Sequence, residues 1–182
     1  MAKELGLVVH NKPDSQEICF VKDNDYANYV KRHSNTSIKE GNFVDTKGNV
    51  LGRHKGIVNY TIGQRKGLGI AFGKPMFVID INAKNNTVIL GDNSDLFQYN
   101  LIAKDVNFIS IEDIKEPIRV KAKVRYAAKP ADATVYKVAE DKIKIVFDEA
   151  QRAISKGQSV VMYDGDKVVG GGIIDCLLYT SD

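Results

Sequence analysis

Cys19 is the residue in the N-terminal half of this chain best suited to nucleophilic chemistry. It lies in the segment DSQEICF, Asp14 to Phe20, among polar residues. A structural cysteine more often lies in an apolar run, so this setting suits a thiol that a partner must reach. The nucleophile is the thiolate, and a free cysteine has a pKa near ~8.5. Asp14 and Glu17 would oppose ionisation if they faced the sulfur, so another group must stabilise the thiolate. On the residues alone, a structural or incidental cysteine remains the alternative.

Two other kinds of site are not predicted. A zinc site needs closely spaced cysteines or histidines, as in CxxC or HxxxH. No such spacing occurs, and no GxSxG segment marks a serine hydrolase. The residues considered as metal ligands are Cys19, Cys176, His10, His33 and His54.

The glycine-rich segment YTIGQRKGLGI, Tyr60 to Ile70, predicts a loop whose backbone comes close to another surface. Its GLG triplet is only a fragment of a dinucleotide fingerprint and lacks a βαβ context. Gln64, Arg65 and Lys66 lie inside it, where they could meet a ligand. The alternative is a turn that packs on its own domain.

Basic residues are concentrated in two windows, although the net charge is only +3. Residues 46–79 and 117–131 contain no acidic residue. Such windows favour a polyanion partner, and two solvated faces are the alternative. Arg125 and Tyr126 fall in the second window, where an arginine can bind phosphate and a tyrosine can stack on a base.

Three motifs in this order resemble the tRNA-specific 2-thiouridylase family, whose older label is tRNA (5-methylaminomethyl-2-thiouridylate)-methyltransferase. They are DSQEICF, GRHKGIVNYTIGQRKGLGI (52–70) and GGGIID (170–175). The resemblance implies ATP-dependent sulfur transfer to C2 of the wobble uridine in tRNA. Cys19 would receive a persulfide sulfur from a sulfur-donor protein or a cysteine desulfurase. A second cysteine, which is not Cys176, would release the product by forming a disulfide.

The resemblance also implies which residues contact tRNA. Arg125, Tyr126 and Gln158 match an Arg-Tyr pair and a Gly-Gln-Ser segment that contact tRNA in the family. The loop with Gln64, Arg65 and Lys66 would face the tRNA and the catalytic domain. Where the family often continues the Arg-Tyr pair with polar residues, this chain has Ala127 and Ala128.

No SGGVDS-type phosphate loop occurs in the sequence. The chain is therefore expected to be a fragment that lacks the ATP-pyrophosphatase domain and is inactive alone. It should bind no cofactor, while ATP with magnesium is implied for the full-length enzyme. Methyl transfer is not favoured, because no glycine-rich strand-to-helix turn could hold S-adenosylmethionine. A non-catalytic RNA-binding β-barrel module is the alternative function.

The elements that would position these residues are mainly strands. Four hairpins are predicted, with turns at 47–49, 82–86, 139–141 and 164–165. Strict alternation over Arg119 to Tyr126 predicts a strand with Val120, Ala122, Val124 and Tyr126 on one face. A short helix is predicted over residues 25–33. The predicted fold is a small β-rich central domain followed by a C-terminal β-barrel resembling those of translation factors.

The expected divisions are 1–20 for the end of the catalytic domain, 21–85 for the central domain, 86–175 for the barrel and 176–182 for an atypical tail.

A content of 43% hydrophobic and 27% charged residues is ordinary for a globular protein. No apolar run approaches the ~20 residues of a membrane helix, and two distant cysteines form no disulfide framework. We therefore expect a cytoplasmic protein without a membrane partner, and the resemblance implies tRNA, and not DNA, as its partner.

Overall fold

The computed structural model describes residues 29, 32, 33 and 38–177, and these form ten strands with two short 3-10 turns. The predicted mainly β fold, with a small sheet followed by a barrel, is confirmed. The strands of the sheet are β1 (Gly41–Val44), β2 (Val50–His54), β3 (Phe77–Asn82) and β4 (Thr87–Gly91). Those of the barrel are β5 (Phe97–Phe108), β6 (Ile118–Lys123), β7 (Ala131–Ala139), β8 (Lys142–Arg152), β9 (Ser159–Asp164) and β10 (Lys167–Leu177). The 3-10 turns span Ile57–Asn59 and Asn93–Leu96.

All four predicted hairpins form, because each depends on a local turn. Between β1 and β2, the Asp45 carboxylate accepts hydrogen bonds from the backbone N–H groups of Lys47 and Asn49 at 2.9 and 2.8 Å. Gly48 has φ +86°, a left-handed conformation that glycine adopts without a steric penalty. Antiparallel pairing also joins β3 to β4, β7 to β8 and β9 to β10.

The small sheet has the strand order β2-β1-β4-β3, in which β1 and β4 are parallel. Its core is apolar and centres on four side chains that are fully buried: Phe43, Val78, Val88 and Leu90.

The barrel is closed, with the strand order β10-β5-β8-β7-β6-β9 and β9 pairing back to β10. Closure brings backbones close together at the glycines of β10. A Cβ on Gly170 would lie 2.5 Å from the carbonyl oxygen of Asn107, and one on Gly171 would lie 2.6 Å from that of Val160. The interior is filled by inward-facing residues of all six strands, including Leu101, Val120, Val135, Ile145, Met162 and Ile174.

The structure corrects two of the expected boundaries. A division at 85/86 would cut the turn between β3 and β4, yet β4 pairs with β1 and β3 in the first sheet. The two β units therefore meet between Gly91 and Phe97. The barrel also continues past residue 175, because Cys176 and Leu177 pair with Ile102 and Leu101 as part of β10.

The strand predicted to end at Tyr126 ends at Lys123. The next residues bend into a turn, so Tyr126 does not continue the inward row of Val120 and Ala122 and is 91% exposed. Of the helix predicted over 25–33, Tyr29, Arg32 and His33 are helical, and the other residues lie outside the described part of the chain.

Candidate nucleic-acid interface

One end of the barrel gathers most of the residues that the sequence singles out for RNA contact. Nη1 of Arg125, in the connection after β6, lies 3.4 Å from the carbonyl oxygens of both Arg152 and Ala153 at the end of β8. The glycine-rich loop reaches the same place, since a Cβ on Gly63 would lie 3.1 Å from the Cβ of Ala153. The small sheet and the barrel therefore present one continuous surface here.

Tyr126 stands out from this surface. A tight turn holds it, in which the backbone N–H of Ala128 donates to the carbonyl oxygen of Arg125 at 3.1 Å. The Lys123 ammonium lies 5.6 Å from the centre of the tyrosine ring, within range of a cation–π contact. An aromatic ring that is 91% exposed and steadied from one side is suited to stacking on a base.

Gln158 lies at the same end of the barrel, just before β9. The pairing of Lys123 with Val161 places the start of β9 beside the end of β6. The backbone of Gln158 is fixed, because the N–H of Ile174 donates to its carbonyl oxygen at 2.8 Å. The residue itself is exposed at the end of the barrel that also carries Arg125 and Tyr126.

Gln64 differs from its two neighbours in the glycine-rich loop. Its Oε1 accepts from the backbone N–H of Thr61 at 3.0 Å, and its Nε2 donates to the carbonyl oxygen of Lys66 at 2.9 Å. Its amide therefore shapes the loop. The loop is also tied to β3, because the N–H of Gly63 donates to the carbonyl oxygen of Val78 at 2.7 Å. Arg65 and Lys66 are exposed.

The basic strand β6 carries less free charge than its sequence suggests. Nη1 and Nη2 of Arg119 donate to the two carboxylate oxygens of Asp148 at 2.8 and 2.6 Å. The hydrogen bond from Arg119 holds the pKa of Asp148 below its ordinary value. Nζ of Lys121 donates to Asp132 at 2.8 Å. The positive charges of Arg119 and Lys121 in the first half of β6 are thus neutralised by carboxylates of β7 and β8. The positive charge that remains lies close to Arg125.

Arg152 and Ala153 form a junction that no motif or charge pattern marks in the sequence. Ala153 packs with Ile79 and Leu96, and its N–H donates to the carbonyl oxygen of Leu96 at 2.8 Å. Nε and Nη2 of Arg152 lie 3.4 and 3.3 Å from Oδ1 of Asn93. These contacts link β8 to the 3-10 turn between the two β units. Only the three-dimensional pairing of β8 reveals the role of these residues.

Cys19 lies outside the described residues. Within residues 38–177 and the three helical residues before them, no cluster of three or more histidine, cysteine, aspartate or glutamate side chains could hold a metal ion. In the same part of the chain, no helix has the length and apolar character to cross a membrane.

Comparison with known proteins matches two consecutive family models to this architecture. Residues 27–92 match the tRNA methyl transferase PRC-barrel domain, and residues 98–174 match the aminomethyltransferase beta-barrel domain. The junction between the two matches falls where the structure separates the small sheet from the barrel.

Several curated proteins are similar over nearly the whole chain, and each is named tRNA-specific 2-thiouridylase MnmA. The protein of Clostridioides difficile (strain 630) is 77% identical over 175 residues, which are 96% of this chain and 48% of the relative. That of Acetivibrio thermocellus is 62% identical over 95% of this chain and 48% of its own length. That of Clostridium botulinum (strain Alaska E43 / Type E3) is 56% identical over 98% of this chain and 49% of its own length. The chain thus spans about half the length of the curated relatives it matches.

Proposed function

Because this chain belongs to the tRNA-specific 2-thiouridylase family, we propose that it forms part of an enzyme that transfers sulfur to C2 of the wobble uridine in tRNA. The observation that carries the proposal is the 77% identity to a protein of that name over 96% of the chain. The surface at the end of the barrel supports it, since an exposed tyrosine beside arginines is suited to RNA.

Cys19 is the proposed sulfur carrier. A cysteine desulfurase or another sulfur-donor protein would leave a terminal sulfur on the Cys19 thiol. That terminal sulfur would attack C2 of an activated uridine, forming the C–S bond while the C2 oxygen departs with its activating group. A second cysteine of the whole enzyme would then attack Sγ of Cys19 and break the S–S bond. The products would be 2-thiouridine and a disulfide between the two cysteines. The disulfide keeps the oxidation level that the persulfide brought, so no other oxidant is needed.

The barrel end would hold the tRNA during this transfer. Arg125, Arg65 and Lys66 are exposed and suited to phosphate contacts, while Tyr126 and Gln158 offer a stacking surface and a neutral hydrogen-bonding group. Gln64 would act indirectly, by keeping Arg65 and Lys66 in place. A thiol of this kind, acting on tRNA, fits a reducing cytoplasm.

ATP with magnesium would supply the activation of the uridine in the whole enzyme, and we propose that this chain does not bind it. The described glycine segment leads through turns into β3 rather than into a helix. It therefore lacks the helix N-terminus that cradles phosphates in the common nucleotide-binding loops. No step of the proposed mechanism involves a nucleotide bound to this chain.

The test is the 2-thiouridine content of tRNA from cells whose only copy of the full-length gene carries Cys19→Ser. We expect 2-thiouridine to disappear, because serine keeps the shape but cannot carry a persulfide. Cys176→Ser is the matched control and should leave thiolation intact. Normal thiolation in the Cys19 variant would show that this cysteine is incidental and would favour a non-catalytic RNA-binding module.

A further inference from the structure

We propose that Arg152 and Lys129 bind the phosphodiester backbone of the tRNA together with Arg125, in a groove at the end of the barrel. This inference rests on the proposed function and extends it to residues that neither the motifs nor the comparisons single out. The groove lies between the connection from β6 to β7 and the end of β8.

The groove has the size and position of a binding site for part of an RNA backbone. Its volume is about 620 Å³. One wall is the connection that carries Arg125 and Lys129, and the other is the end of β8 with Arg152. Tyr126 lies in the same connection, between the lining residues Arg125 and Ala127.

The charge of the groove is positive once its ion pairs are counted. Asp132 and Asp148 line it, but Lys121 and Arg119 neutralise them. Glu149 is the remaining carboxylate of the lining. Three cations stand against it that form no ion pair with any carboxylate of the described residues: Arg125, Lys129 and Arg152.

Arg152 is held in place by uncharged groups. Its Nε and Nη2 contact the Asn93 amide oxygen at 3.4 and 3.3 Å, and its guanidinium lies 5.7 Å from the centre of the Phe77 ring. Neutral acceptors at these long distances bind a guanidinium weakly and leave its charge uncompensated. A phosphate could therefore replace them at little cost and would form stronger, charge-assisted bonds.

Arg125 and Arg152 are also mechanically connected. The carbonyl oxygen of Arg152 accepts from Nη1 of Arg125 at 3.4 Å, so the guanidinium of Arg125 lies against the backbone that carries Arg152. Two arginines this close together could bind the same phosphate group. The competing explanation is that Arg152 serves only to tie the small sheet to the barrel.

The experiment measures binding of a fluorescent, unmodified tRNA transcript to the 182-residue chain by anisotropy over a salt series. Arg152→Met keeps an unbranched, largely apolar side chain over Phe77 and removes the charge, and Lys129→Met removes a second, exposed charge. Lys144→Met is the matched control, because Lys144 lies on the same strand β8 near the other end of the barrel. Each groove variant should flatten the slope of log affinity against log salt by about one unit, and the control should keep the parent slope.

The outcomes distinguish the groove proposal from the more general proposal that this chain binds tRNA. Parent-like slopes for Arg152→Met and Lys129→Met, together with a flatter slope for Arg125→Ala, would overturn the groove and leave tRNA binding intact. An Arg152→Met variant that unfolds at lower temperature but keeps the slope would show the purely structural role. If the parent shows no salt-dependent binding, the groove proposal fails, while the sulfur-transfer proposal is still decided by the thiolation test of Cys19→Ser.

Two further arms keep the test decisive. Should Arg152→Met fail to fold, Lys129→Met decides alone, since Lys129 is exposed and its substitution removes no buried contact. Inorganic phosphate replaces chloride at equal ionic strength in the second arm. Phosphate that displaces tRNA more strongly than chloride does, and only when Arg152 is present, would support a tRNA phosphate at Arg152. Equal displacement by phosphate and chloride in the parent and in Arg152→Met would count against it.

Discussion

The guanidinium of Arg125 is anchored to the carbonyl oxygen of Ala153, with Nη1 3.4 Å from that oxygen. This hydrogen bond joins the turn that follows β6 to the residue where β8 meets the small sheet. A side chain suited to phosphate binding therefore lies between the two connections that bear Tyr126 and Gln158.

Replacing Arg125 with alanine should weaken tRNA binding and flatten its salt dependence. Each phosphate that the protein no longer neutralises lowers the slope of log affinity against log salt by about one unit. Lys144→Met is the control, because Lys144 lies on β8 near the other end of the barrel. Fluorescence anisotropy across a salt series measures both. A slope that drops for Lys144→Met and not for Arg125→Ala would place the phosphate-binding residues at the other end of the barrel.

Replacing Tyr126 with alanine should weaken tRNA binding by ~1–3 kcal/mol and leave the salt slope unchanged, because stacking on a base releases no counterion. The exposure of the ring means that folding should be little affected. Tyr126→Phe keeps the aromatic face and should bind nearly as the parent does. If phenylalanine binds as poorly as alanine, the hydroxyl and not the ring makes the contact.

The chain alone should not bind ATP. The described glycine loop is fixed to β3 through the Gly63–Val78 backbone bond and presents no helix N-terminus to a triphosphate. Calorimetric titration with ATP and magnesium should give no heat beyond dilution. Saturable binding with a micromolar dissociation constant would contradict this expectation and place a nucleotide site on this chain.

Replacing Gly41 with alanine should destabilise the small sheet. The added Cβ would lie 2.1 Å from the carbonyl oxygen of Asn86 and 2.6 Å from Nε2 of His54. Neither can move far, because His54 is buried and its Nε2 faces that carbonyl at 3.1 Å. Overpacking of this kind costs about 1–3 kcal/mol. The free energy of unfolding in urea, compared with that of the parent, checks the expectation, and an unchanged value would mean that the sheet can widen at this point.

His54 should make the stability of the protein depend on pH in the mildly acidic range. Burial lowers the pKa of His54 below its ordinary value of 6.5. The neutral ring also fits its partners, since Nδ1 accepts from the N–H of Gly56 at 3.0 Å. Between the folded and unfolded pKa values the unfolded chain binds the additional proton, so the free energy of unfolding falls as the pH is lowered through that window. The slope is at most about 1.4 kcal/mol per pH unit.

The measurement for His54 compares the parent with His54→Asn in urea unfolding at about pH 7.5 and about pH 5.5, on either side of the ordinary histidine pKa. The carboxylates with lowered pKa values, such as Asp113 and Asp148, lose their contribution only at lower pH, where they become protonated. They therefore do not obscure this window. A parent and variant with the same pH dependence would show that His54 titrates alike in both states.

The sequence predicts the hairpins correctly because their determinants are local. Turn residues such as Asp45 and Gly48 lie within a few positions of the strands they connect. The parallel pairing of β1 with β4 could not be predicted in this way, because Phe43 and Val88 are brought together by the fold and not by any nearby pattern. Their apolar character indicates burial but not the partner.

The candidate site was only partly predictable for a similar reason. Arg125, Tyr126 and Gln158 come from motifs, and the structure places them at one end of the barrel. Alternation wrongly extended β6 to Tyr126, because the chain leaves the sheet after Lys123 to form a turn. Charge counting could not reveal that Arg119 is neutralised, since Asp148 is distant in sequence and adjacent only across the barrel.

The closure of the barrel by β10 has a consequence for synthesis on the ribosome. The small sheet is complete at Gly91 and can form while later residues are still being translated. The barrel cannot, because its first strand, β5, and its fifth, β9, both await β10 as a neighbour. Until residues 167–177 emerge, the nascent chain exposes two unpaired strand edges, which are sites for association with other chains. The barrel therefore completes its strand pairing only after β10 has emerged, later in synthesis than the sheet that precedes it.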